Sequence, residues 1–148
     1  MTTTQRSSTE SEAKQAEVMA KAGPQTVSTR TSFFDATKME GFPVWADPAD
    51  PDGPIMTIKA LINHSDPDGF SLWEICYRPN AHIPRHRHDV AQVVMVLEGE
   101  LYQGNRKIGP GGGYFTPANS PYAVTAGPEG VRLVEFRHSR LDFSTEWV

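Results

Sequence analysis

The sequence lacks the features that mark several large classes of protein. Cys76 is the only cysteine among 148 residues, so no disulfide can form within the chain. No apolar run approaches the ~18 residues that suggest a membrane-spanning helix. The 14 Lys and Arg nearly balance the 18 Asp and Glu, which leaves a net charge of −4 without any cluster of like charge. The sequence therefore lacks the cluster of basic residues expected of a nucleic-acid-binding protein.

The N-terminal 30 residues are also poor in the side chains that build a core. They contain no aromatic residue, they are crowded with Ser, Thr, Gln and Glu, and they lack the apolar segment of a secretory signal. Glu10–Ala22 has good helix formers but carries only two sizeable apolar side chains, Val18 and Met19. We interpret residues 1–30 as a polar tail, helical or mobile, and residues 31–148 as one domain. Together with the single cysteine, these features predict a cytoplasmic protein.

From Phe33 onward, short apolar runs alternate with clusters of Gly, Pro, Asn and Asp. Short strands at regular spacing, separated by turn residues, predict an all-β sandwich or barrel. The predicted strands are Ile55–Ile62, Phe70–Tyr77, Gln92–Leu97, Glu100–Gln103, Arg106–Ile108, Tyr114–Thr116, Tyr122–Thr125 and Val131–Arg137. Turns are predicted between them, among others at Gly99, Gly109–Gly113 and Gly127–Gly130.

The stretch from His82 to Gly99, HIPRHRHDVAQVVMVLEG, is typical of a metal site. His86 and His88 are one residue apart, so on an extended strand both imidazoles lie on the same face. Gln92 follows after three residues and can return beside them across a bend. Neutral imidazole is a common ligand of first-row metals.

The same stretch resembles the first motif of the cupins, which is H-x-H, three or four residues, Glu, six residues and Gly. The matching residues are His86, His88, Gln92 and Gly99, with Gln in the place of Glu. The second cupin motif resembles GGGYFTPANSPYAV, with Tyr122 where a third histidine is usual. The resemblance implies a double-stranded β-helix jelly-roll barrel and a homodimer. It also implies one divalent transition metal per chain (Mn, Fe, Ni or Zn), held by His86, His88 and Gln92.

Both departures from the family pattern fall on ligand positions. Gln92 is either a neutral, weaker ligand than a carboxylate or a hydrogen-bond partner of a ligand imidazole. Tyr122 is a phenolate ligand, a proton donor or acceptor beside the metal, or an aromatic lining of the barrel mouth. His82 lies an even number of positions before His86 and His88, so regular alternation would place it on the same face. It either completes the coordination, acts as a general base or lies at the surface. We take Tyr122 and His82 as the candidate catalytic residues.

Around such a centre, alternation along the strands predicts an apolar cavity, although ordinary packing would give the same pattern. The predicted lining residues are Trp73, Ile75, Val94, Val96, Phe115, Val124 and Phe136. Cupins of this size include dioxygenases, lyases, isomerases and polyketide cyclases. The resemblance therefore favours a metal-dependent enzyme acting on a small carbonyl-bearing or metal-chelating substrate. Because the ligand set is neutral, we expect non-redox chemistry. The alternatives are an O₂-dependent dioxygenase and a cupin that binds a small molecule without turnover.

Overall fold

The computed structural model describes residues 31, 33–47, 49–63, 69–138 and 145–148, which form an almost purely β structure. One short 3-10 helix, Ala36–Lys38, precedes the strands. The strands are β1 (Phe42–Val44), β2 (Met56–Asn63), β3 (Phe70–Tyr77), β4 (His82–His88), β5 (Gln92–Gln103), β6 (Arg106–Ile108), β7 (Gly113–Thr116), β8 (Tyr122–His138) and β9 (Thr145–Trp147). The predicted tail, residues 1–30, lies outside the described residues.

Strand β8 organises the sheet, because it is the longest strand and pairs with three others. Its N-terminal part pairs with β4, its C-terminal part pairs with β3, and β5 runs antiparallel along both parts. Strands β1 and β2 extend the sheet beyond β3, β9 extends it beyond β4, and β6 and β7 pair with β5. The nine strands of the described residues form one curled sheet, the jelly-roll barrel that the resemblance predicts.

The inward face of this sheet carries the hydrophobic core. Along β8, Val131 and Leu133 are buried and alternate with outward-facing side chains, as period two requires. Val94, Val96 and Leu101 on β5 are at most 1% exposed. The same alternation carries polar side chains inward at the strand ends, where the candidate site lies.

The predicted strands Phe70–Tyr77 and Arg106–Ile108 are confirmed residue for residue. Two predicted turns are wrong, because Gly99 lies inside β5 and Gly127–Gly130 lies inside β8. Both Gly99 and Gly130 have positive φ, and a Cβ on Gly99 would come 2.2 Å from the carbonyl oxygen of Gly130. These glycines let two long strands bend and approach closely where a loop was expected.

Strands β1 and β9 were not predicted: each has only three residues, and neither follows another strand across a two-residue turn, as β6 follows β5 across Gly104-Asn105. Strand β4 confirms the extended conformation expected for the H-x-H sequence. Among the described residues, no helix has the length and apolar character needed to cross a membrane.

Candidate active site

Strand β4 turns His86 and His88 into the barrel. Its register against β8 shifts between Ile83 and His86, and this irregularity changes which alternate residues face inward. His86 is 5% exposed and His88 is 8% exposed, whereas His82 faces solvent and its Nδ1 lies 2.8 Å from Thr125 Oγ1. Of the alternatives open for His82, the structure favours the surface position, since His82 does not share the face of the other two histidines.

Both inward imidazoles are held through their Nδ1 atoms. His86 Nδ1 donates to the carbonyl oxygen of Pro84 at 2.7 Å, and this leaves the lone pair of the neutral ring on Nε2. His88 Nδ1 lies 3.1 Å from Thr145 Oγ1 on β9. The two ring centroids are 5.0 Å apart. Such partners fix ring orientation in metal-binding histidines, so this arrangement suits a pair of Nε2 ligands.

The surroundings of His86 also favour the neutral form that a metal ligand requires. Burial lowers the pKa of His86 below its ordinary value, and this effect outweighs the hydrogen bond to Pro84 and the negative charge of Glu135, which both raise it. A lowered pKa keeps the imidazole unprotonated at neutral pH.

Gln92 and Tyr122 form the next part of the site. Gln92 is 1% exposed, and its Nε2 donates to the hydroxyl oxygen of Tyr122 in a short hydrogen bond. The centroid of the Tyr122 ring lies 4.4 Å from that of the His86 ring. The phenol therefore contacts both the Gln92 amide and the His86 imidazole. The amide oxygen of Gln92 is buried and accepts no hydrogen bond from the described residues. An orphaned buried oxygen is costly, which marks this atom as a position for a ligand.

Tyr122 is a protonated phenol in this environment. Burial raises its pKa above the ordinary value, and the charge of Glu135 raises it further, against smaller opposing effects of Arg137 and Gln92. Without an added cation the group is therefore suited to donate a proton rather than to act as a phenolate.

The two histidines and Tyr122 line a cavity of about 120 Å³ inside the barrel. Its wall is mostly apolar and aromatic, and it also carries polar and charged side chains. The lining residues are Val44, Trp45, Met56, Ile58, Trp73, Ile75, Tyr77, Ile83, His86, His88, Tyr122, Val124, Glu135, Arg137, Thr145 and Trp147. The volume is below the ~300–1,000 Å³ of sites for drug-sized ligands, so the cavity suits a small molecule.

Three of the predicted lining residues, Trp73, Ile75 and Val124, lie in the cavity wall. Val94 and Val96 are buried in the core and do not line the cavity. Phe115 and Phe136 point outward, with 63% and 41% of their surface exposed, so their assignment to the cavity is wrong. The strand alternation that carries Glu135 and Arg137 inward carries Phe136 outward.

Sequence reasoning missed the charged pair in the cavity wall. Arg137 Nη2 donates to Glu135 Oε2 at 2.5 Å, and the two side chains are only 5% and 6% exposed. The guanidinium carbon of Arg137 also lies 5.0 Å from the centre of the Trp73 ring. The sequence contained a signal for this pair. Val131 and Leu133 are apolar and face inward, and alternation along β8 places Glu135 and Arg137 on the same inward face.

The predicted ligands His86, His88 and Gln92 offer a metal two imidazoles and one amide oxygen. In the part of the chain that the structure describes, no three His, Cys, Asp or Glu side chains are grouped closely enough to hold a metal. The reason lies in the two departures from the cupin pattern, because Gln92 and Tyr122 stand where Glu and His are usual. The orphaned Gln92 oxygen and the anchored imidazole of His86 nevertheless fit a first-row cation.

No family model and no curated protein matches the chain. Solved structures do match it. The polyketide cyclase RemF from Streptomyces resistomycificus is 24% identical, with 80% of this chain and 87% of that chain covered at a TM-score of 0.59. The DMSP lyase DddQ from Ruegeria pomeroyi DSS-3 is 16% identical over 90% and 76% of the two chains, with a TM-score of 0.60.

An RmlC-like cupin from Shewanella frigidimarina is 19% identical, with 74% of this chain and 90% of that chain covered at a TM-score of 0.56. At these identities the likeness concerns the fold. It agrees with the curled sheet and with the motif that begins at His86. The chain has the cupin fold.

Proposed function

We propose that the protein is a small metal-dependent enzyme with non-redox, lyase-, isomerase- or cyclase-type chemistry. Its substrate is a small organic molecule that carries a carbonyl group or chelates a metal. The observation that carries the proposal is the buried pair His86 and His88. Their Nδ1 atoms are engaged by Pro84 and Thr145, and the rings open onto a small, mostly apolar cavity.

Two features support a metal at this pair. A structural role in the core would not need two imidazoles side by side with an orphaned amide oxygen nearby, since buried polar groups are normally paired. His86, His88 and Gln92 would hold a divalent ion such as Mn, Fe, Ni or Zn. Because all three ligands are neutral, the ion would keep its full charge and would supply Lewis-acid polarisation of a carbonyl oxygen.

The residues of the chain would do the rest of the work. The cavity excludes bulk water from the substrate, because its wall includes Trp73, Ile75 and Val124. The phenol of Tyr122 is placed by its hydrogen bond with Gln92 and by its contact with the His86 ring, so it would donate a proton to the substrate. Two solved structures of the same fold are named as a cyclase and a lyase, which supports chemistry of this kind.

The experiment that tests the proposal combines metal analysis with a substrate survey. Purified protein is loaded in turn with Mn, Fe(II), Ni and Zn, dialysed and analysed for metal, and one equivalent per chain is expected. The loaded protein is then incubated with small carbonyl compounds, and products are followed by NMR. Oxygen uptake would indicate a dioxygenase instead. Ligand-induced thermal stabilisation without product would indicate a binding protein, and absence of metal would refute the proposal.

Gln92→Glu is expected to tighten metal binding. The substitution keeps the length of the side chain and replaces a neutral oxygen donor with an anionic one. Arg137, the cross-strand partner of Gln92, offers a nearby positive charge for the buried carboxylate. Competitive titration of Zn against a chromogenic chelator measures the affinity. Unchanged or weaker affinity would show that Gln92 hydrogen-bonds a ligand rather than binding the metal itself.

A further inference from the structure

Glu135 and Arg137 form a buried ion pair in the wall of the cavity. Both side chains are at least nine-tenths buried, they line the cavity, and they stand on the inward face of β8 after the apolar Val131 and Leu133. Removing two charges from water is costly, and apolar residues often serve stability equally well at such positions. The place of the pair in the cavity wall therefore calls for a chemical explanation.

The geometry holds the carboxylate firmly beside the other polar groups of the cavity. Oε2 of Glu135 accepts from Arg137 Nη2, and the guanidinium is itself fixed over the Trp73 ring. His86, His88 and Tyr122 line the same small cavity as Glu135. A small substrate that enters this space shares it with the carboxylate and with the histidine pair.

We propose that Glu135 is the proton acceptor of the reaction, with Arg137 as its positioning residue. This inference rests on the proposed function, and it specifies the substrate as a carbonyl compound with a hydrogen on the adjacent carbon. In the step, that C–H bond breaks and an O–H bond forms on Glu135. The electron pair of the C–H bond delocalises onto the carbonyl oxygen of the substrate. The reverse transfer returns the proton to carbon, so the carboxylate is regenerated without a further reactant.

Deuterium exchange tests this step without knowledge of the natural substrate. Pyruvate is a small carbonyl compound that chelates metals and has exchangeable methyl hydrogens. Zn-loaded protein is incubated with pyruvate in D₂O, and loss of the methyl proton signal is followed by NMR. We expect exchange above the rate with free Zn, and a decrease of about 10²-fold in Glu135→Gln with the zinc content unchanged.

Glu74→Gln is the matched control. Glu74 is another buried carboxylate, on β3, and it pairs with Lys59 and Arg132 but does not line the cavity. Its substitution should leave the exchange rate unchanged. If Glu135→Gln is unstable, the double variant Glu135→Leu with Arg137→Met removes both charges together and should lose exchange in the same way.

The outcomes separate this inference from the proposed function. Protein that binds zinc but gives no exchange, or exchange that survives in Glu135→Gln, would overturn the role of Glu135 and leave the metal proposal standing. Protein that binds no metal would refute the proposed function itself.

Discussion

Replacing His86 and His88 together with alanine is expected to abolish divalent-metal binding and leave the β-sheet circular dichroism unchanged. The two imidazoles are the strongest donors in the proposed site, and Gln92 alone offers one neutral oxygen. The fold should survive because both side chains line a cavity rather than filling the centre of the core. Metal content after loading with Zn and dialysis measures the loss.

His82→Ala is the matched control for that experiment. It removes an imidazole from the same strand, but one that faces solvent. Its metal content should equal that of the wild type. Full metal content in the double variant, with the fold intact, would place the binding site elsewhere in the protein.

Tyr122→Phe is expected to reduce activity by about 10²-fold or more, the lower range for loss of an acid/base group. Only the hydroxyl oxygen is removed, so the ring still packs 4.4 Å from the ring of His86 and the cavity keeps its shape. The substrate survey and the pyruvate exchange reaction provide the rates. Loading the wild type with Fe(III) separates the two roles of the phenol, because a coordinated phenolate produces a visible charge-transfer band and a protonated donor does not.

Tyr114→Phe provides the comparison. The ring of Tyr114 lies 5.9 Å from that of Tyr122, and burial likewise raises the pKa of its phenol, but it does not line the cavity. Its loss should have little effect on the rate. An active Tyr122→Phe protein would reduce Tyr122 to cavity lining. Proton donation would then have to come from another group, and His82 is a poor candidate because it lies outside the cavity.

The parts of the site that the sequence predicts are those that depend on local geometry. His86 and His88 share a face because residues two apart on a strand always do. Gln92 follows after a short bend, and its buried amide donates to Tyr122, which contacts His86. Trp73, inside a strand whose bounds were predicted correctly, was assigned to the cavity and lies there.

The incorrect or missing assignments concern residues whose orientation or pairing depends on strands that are distant in the sequence. The sequence makes His82 a candidate catalytic residue with a surface position as the alternative, and a register shift between Ile83 and His86 leaves it facing solvent. Phe136 was assigned to the cavity lining with the other apolar candidates, although alternation from Leu133 places Glu135 and Arg137 on the inward face instead. Thr145 lies on a three-residue strand whose pairing with β4 could not be read from the sequence.

The central position of β8 has a consequence for how the chain folds. β8 is the eighth strand in chain order, yet β3, β4 and β5 all pair with it. Their partners on β8 lie dozens of residues away, so long loops must close before the first of these pairings is made. Non-local pairing of this kind places β proteins at the slow end of two-state folding, in milliseconds to seconds. During synthesis, β3, β4 and β5 emerge before β8 does and expose unpaired edges until it arrives.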